Sequence, residues 1–290
     1  MPLQSLVDYF NDRLGREHGS SFRPFSLEDG KVSGMFGHLR IDSFFTPIRQ
    51  TLKPTSIVGH IAQITVAPGK PQQLCASQIE NLLANRAPAA EFESIINFDR
   101  LCRTVHMLNY LTLAHLQGVL FLDVDPRHIL GIKQDHGAYF EEVIIQCGLQ
   151  TKNVVITLTA NSQYARFYRE LMVGLDNYRR RGYQIALKLE YFAPGSATDD
   201  LISQIAPDYL TLSARHLEHR AQDDNALQLL QQHVAKVGGK TLLQQIDEKK
   251  ADVCARTAGF DWVEGGYYRA IAFDYLRPEN TAKQQAMMGG

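Results

Sequence analysis

The sequence predicts an α/β protein, a TIM-like (β/α)8 barrel whose first strand runs antiparallel to the rest. Three observations carry this. Short apolar runs, such as 119–124 (VLFLDV) and 154–159 (VVITLT), alternate with segments of helical periodicity through the second half of the chain. Those runs are apolar almost throughout, as strands buried on both faces of a parallel sheet must be. Before them, two strand-like segments at 39–48 and 56–66 are joined by a short turn with Lys53-Pro54. A turn that short makes a hairpin, so the first strand opposes the second.

In chain order, Leu3, Leu6, Val7, Phe10 and Leu14 fall at i, i+3, i+4, i+7 and i+11, which predicts a helix over 3–15 with one apolar stripe. The plainer reading is that this stripe packs on the main domain, and the sharper one is that it docks on a partner. Gly15 and Gly19 break the helix, and Gly30, Gly34 and Gly37 punctuate a turn-rich approach. After the hairpin come helices at 72–85 and 91–117, the second with Leu101, Val105, Leu108 and Leu111 on one face. Strand 119–124 then precedes helix 136–147, and strand 153–159 precedes helix 163–181. Strand 184–189, helix 199–205 and strand 209–212 form a βαβ unit, followed by helix 225–237, strand 241–246, helix 249–257 and strand 261–263. The loop after 184–189 opens on the strands' C-terminal side, where α/β folds keep their chemistry. The expected organisation is an N-terminal amphipathic helix and linker over 1–34, the barrel over 35–276, and a disordered polar tail over 277–290.

Composition narrows the function classes. Lys+Arg 30 against Asp+Glu 31 leaves a net charge of -1, so no global basic field draws the chain to nucleic acid. The four cysteines (Cys75, Cys102, Cys147, Cys254) lie apart, without zinc spacing, as small apolar residues of a reducing compartment do. The N-terminus has no signal pattern and no apolar run is long enough to span a bilayer, so a cytoplasmic protein without membrane contact is expected.

Several short motifs stand in order along 35–270: Phe45-Thr46-Pro47-Ile48, Gly59-His60-Ile61-Ala62-Gln63-Ile64, and Phe121-Leu122-Asp123-Val124-Asp125-Pro126. They continue with Gly182 to Leu187, Pro207-Asp208-Tyr209-Leu210, and Gly259-Phe260-Asp261-Trp262-Val263-Glu264-Gly265. Together they resemble the EAL domains, which hydrolyse the bacterial second messenger cyclic di-GMP on a barrel with an antiparallel first strand. The resemblance implies a site of two divalent cations held by hard oxygen ligands. At the positions that match the family's ligands this chain has Ile61, Asp123, Thr157, Lys188, Leu189, Ser213, Gln244, Asp247 and Glu264. Thr211 replaces the lysine that activates water, and Thr65 the arginine that grips phosphate. With so few anions to offset two divalent ions, the expectation is a degenerate EAL domain that is not an enzyme, binds no metal and needs no cofactor.

Three functions then compete. In the first, the chain acts by binding a regulatory protein, as inactive members of the family do, with Leu6, Phe10, Leu14, His216 and Arg220 as candidate contacts and a homodimer as a further assembly. In the second, ranked behind it, the chain is a receptor that binds cyclic di-GMP without cutting it. Lys188 would face a phosphate, and Tyr191 or Phe192 would stack a guanine. In the third, ranked last, Asp123, Asp125, Glu190, Asp247, Glu264 and His60 serve a repurposed enzyme at the strand ends.

Overall fold

The apolar stripe at the N-terminus folds onto the chain's own first strands. In the computed structural model, residues 3–18, 23–37, 39–68, 91–114, 118–132, 137–160, 162–189, 196–217 and 224–269 are described. Helix α1 (Leu3–His18) buries Leu6, Val7, Phe10 and Asn11. It packs on β1 (Phe25–Glu28). Asn11 pins that strand, its side-chain amide donating to the Phe25 carbonyl and accepting from the Phe25 N–H, both at 2.9 Å. The expected turn-rich approach is instead a hairpin. β1 and β2 (Lys31–Phe36) pair antiparallel through a two-residue turn, Asp29-Gly30, with φ 50 and 75. Positive φ at both central positions is the hairpin turn whose twist matches the strands it joins.

β2 pairs antiparallel with β3 (Leu39–Gln50). The remaining strands are β4 (Ile57–Pro68), β5 (Val119–Asp123), β6 (Val154–Ala160), β7 (Gln184–Leu189), β8 (Tyr209–Ser213), β9 (Lys240–Gln244) and β10 (Trp262–Val263). Their order is β1-β2-β3-β10-β9-β8-β7-β6-β5-β4, and β3 also pairs with β4, so β3 to β10 close an eight-stranded barrel. β3 runs antiparallel to β10, with Val263 opposite Arg49. The pairs β5–β6, β7–β8, β8–β9 and β9–β10 are parallel. The barrel is the mixed (β/α)8 type that the sequence predicts, antiparallel first strand included.

The chain packs as two units. The first comprises Met1–Thr46 and His60–Ile185. Its helices are α2 (Glu91–Tyr110), α3 (Pro126–Gly131), α4 (Ala138–Gln146) and α5 (Tyr168–Arg180). Val105, Leu108 and Ile156 are fully buried within it. α2 stops at Tyr110, short of the expected 117, where the Leu113 N–H turns back to the Tyr110 carbonyl at 2.8 Å. α3 was not expected. Pro126 opens it and Asp125 caps it, accepting from the Arg127 N–H at 2.8 Å. The segment before α5, expected as helix from 163, is a 3-10 stretch over Ser162–Phe167.

The second unit comprises Pro47–Gly59 and Ala186–Gly290. It carries α6 (Ser196–Ile205), the single turn α7 (Ala214–Leu217), α8 (Asp224–Lys236) and α9 (Lys249–Ala258). Trp262 is buried, its ring centroid 4.9 Å from that of Tyr209 and 5.1 Å from the Lys240 ammonium. Those two residues start β8 and β9, so the indole lies at the N-terminal ends of the strands. The expected helix over 72–85 and the tail over 277–290 lie outside the described residues. No described helix is long and apolar enough to cross a membrane.

Candidate functional site at the strand ends

Parallel strands of a barrel bring their C-terminal residues to one rim, and the loops that follow complete it. In the first unit Asp123 ends β5, while Ile61 and Thr157 lie within β4 and β6. Ile61 is buried, and Asp123 is exposed and opposite Thr157 in the β5–β6 ladder. Thr157 is buried and its hydroxyl has no hydrogen-bond partner. An orphan hydroxyl in a protein interior costs about 1–3 kcal/mol, so a strand that keeps one carries a polar group packing alone does not explain.

In the second unit Lys188 and Leu189 end β7, Ser213 ends β8 with Thr211 two residues earlier, and Gln244 ends β9. Lys188 stands opposite Thr211, and Ser213 opposite Gln244. Lys188 is half-buried, and Leu189 is buried as the apolar side of the strand requires. Thr211 is wholly buried, and its hydroxyl, like that of Thr157, lacks a partner.

Around them three strands are tied by one polar chain that sequence reasoning missed. Its centre is Gln245, a non-glycine residue at φ 59 directly after β9. The Ser213 hydroxyl donates to the Gln245 side-chain carbonyl at 2.5 Å, and the Gln245 N–H donates to the buried Glu264 carboxylate at 3.2 Å. The Glu264 N–H and carbonyl bond Leu243 and Ile246 at 2.9 and 3.0 Å. Left-handed backbone on a side-chain-bearing residue is strained and collects at functional positions. Nothing in the letter Gln announces it. Beside this chain Asp247 accepts from Arg215 at 3.0 Å and from the Gly266 N–H at 3.4 Å. The second unit's strand ends thus bring together the Lys188 ammonium, the Arg215–Asp247 ion pair and the buried Glu264 carboxylate.

Among the described residues no group of three or more His, Cys, Asp or Glu stands together. Tyr191, Phe192, Glu190 and Arg220 lie outside the described residues, as does the His216 side chain. The stripe of α1 is corrected as a docking surface. Leu6 and Phe10 are 2% and 0% exposed because they fill the core against β1, and Leu14 is half-buried.

No family model and no curated protein matches the chain. Solved structures do. A Klebsiella pneumoniae BlrP1 complex with calcium and cyclic di-GMP superposes with a TM-score of 0.62 at 13% identity, over 78% of this chain and 54% of that one. The Bacillus subtilis YkuI protein, with an EAL domain and in complex with substrate cyclic di-GMP and calcium, gives 0.60 at 17% over 78% and 54%. The chain has the EAL-domain fold. The PaMucR phosphodiesterase in complex with cyclic di-GMP gives 0.62 at 11% over 78% of this chain and 93% of that one. This chain spans about half the length of the first two EAL structures.

This likeness corrects the expectation that the chain is not an enzyme. The EAL fold it shares is described in these structures as that of a phosphodiesterase and of proteins holding substrate dinucleotide. The expectation rested on letters at matched positions. At 11% to 17% identity those letters do not establish which side chains meet a ligand. Gln245 shows how a rim residue can go unmatched by any motif.

Proposed function

We propose that this chain binds cyclic di-GMP, and that the strand ends of its second unit supply the contacts to phosphate. The observation that carries the reading is the likeness of the fold to structures that hold this dinucleotide. The residues at those ends support it. Lys188 acts as a point charge toward a phosphate, and Arg215 offers a fork of donors at the same end of the second unit. Ser213, Gln245 and Glu264 hold the strand ends in place through their hydrogen bonds and need no contact with the ligand.

Calorimetric titration of the full chain with cyclic di-GMP tests this, with magnesium or manganese present and absent. Saturable heat is expected, and Lys188→Ala weakens it about ten- to a hundredfold, as loss of a charged hydrogen bond does. Absence of saturable heat in either condition overturns the reading. Chromatography of the same samples for a linear dinucleotide shows whether binding leads to cleavage.

A further inference from the structure

The first unit contains a cavity of about 220 Å3 that the strand ends do not use. Its lining comes from three helices. α2 supplies Arg100 and Arg103, α3 supplies His128, and α4 supplies its start, Gly137 to Phe140.

Arg103 is 2% exposed and is held from several sides. One of its terminal nitrogens lies 2.5 Å from Asp99 and 2.9 Å from His128 Nε2, while the other donates to the Tyr178 hydroxyl at 3.3 Å. His128 Nδ1 stands 3.0 Å from the same Asp99 carboxylate. A neutral His128 with its proton on Nδ1 satisfies both neighbours, donating to Asp99 and accepting from Arg103. The guanidinium also lies over the Phe140 ring, 4.9 Å from its centroid. So fixed, Arg103 still keeps its Nε–H buried without a partner, and so does Arg100, whose guanidinium lies 4.8 Å from the centroid of Tyr139.

Charge and backbone point the same way. Arg103 pairs with Asp99, Asp125 nearby is paired with Arg127 at 2.7 Å, and Arg100 faces the Tyr139 ring. The nine-residue α4 starts at Gly137, which offers no side-chain cap. Gly137 is itself held, its carbonyl accepting from the Tyr183 hydroxyl at 3.2 Å and from the Glu141 N–H at 2.7 Å. A helix start beside two guanidinium groups is an arrangement that receives oxyanions.

We propose that this cavity is a binding site for phosphate, free or as the terminal group of a small phosphomonoester. Its size sets the class, since drug-sized ligands need roughly 300 Å3 or more and a phosphoryl group needs far less. The α4 start and Arg100 bind the phosphate oxygens, and the buried Arg103 Nε–H gains an acceptor. The site goes beyond dinucleotide binding and does not depend on it.

Titration of the full, isotope-labelled chain at low salt tests it, with inorganic phosphate in one arm, glycerol phosphate in a second and acetate in a third. Amide resonances are followed by NMR. Saturable shifts at Gly137 to Phe140 with phosphate, at about millimolar affinity or tighter, are the expected result. Arg100→Ala, at a half-buried position outside the Asp99–Arg103 pair, weakens binding about tenfold, and Arg100→Lys recovers part of the loss. Saturation by glycerol phosphate alone assigns the phosphate to a monoester. No saturable shift in either phosphate arm, equal response to acetate, or unchanged affinity in Arg100→Ala overturns the proposal. Because the shifts are read at α4, a failure here is separable from a failure of dinucleotide binding at the strand ends.

Discussion

Burial, with a smaller push from the Arg103 guanidinium, holds the His106 imidazole at a pKa down to about 3. The side chain is 7% exposed, and its Nδ1 lies 2.6 Å from the Ser43 hydroxyl. The unfolded chain takes up a proton at His106 near the ordinary value of about 6.5, and the folded chain does not until about 3. Between those values the unfolded state binds more protons, so stability present above pH 6.5 is lost as pH falls toward 3. Urea unfolding at a series of pH values across that window should show the loss, and His106→Gln should flatten it. The same residue scale shows where letters inform and where they do not. Thr211 and Thr157 are legible as positions on strands. That their hydroxyls are buried without partners depends on packing from several segments. Leu6 and Phe10 read first as core and second as docking surface, because periodicity identifies an apolar face without saying what covers it.

At the scale of elements, strands such as β7 and β8 are legible because both faces are buried, so their apolar runs stand out against charged helices. The β1–β2 hairpin was not, since Gly30, Gly34 and Gly37 within eight residues read as turns, although Gly34 sits in a ladder opposite Ile41. Helix ends strayed for a similar reason. The 3-10 stretch before α5 and the turn after α2 keep helical periodicity for a few residues beyond the regular helix. Gly265, read from sequence as one letter of a closing motif, gains a physical cause. A Cβ there would stand 2.1 Å from the Ile246 carbonyl oxygen and 2.3 Å from its nitrogen, and backbone cannot yield as a side chain can. The crossing holds the β10 end, with Glu264, against the β9 end. Gly265→Ala should therefore cost roughly 3 kcal/mol of stability in denaturant unfolding. A change within about 0.5 kcal/mol, the usual surface value, would contradict this packing.

At the scale of the whole molecule, the sequence carried the barrel and its antiparallel first strand because motif order and strand alternation agree. It did not carry the activity. Substituted letters argued for a chain without catalysis, and the likeness to EAL structures described with substrate removed that conclusion. The rim is made by neighbours in space, so Gln245 and its bonds to Ser213 and Glu264 were out of reach of a motif. The cavity at the start of α4 was equally hidden, drawing on residues from 100 to 140. The most direct test of the account is hydrogen exchange of the full chain with saturating cyclic di-GMP, resolved to peptides. Added protection over 186–189, 209–213, 240–247 and 262–266 is the predicted result. Unchanged exchange over those segments, or protection confined to other parts of the chain, would contradict it.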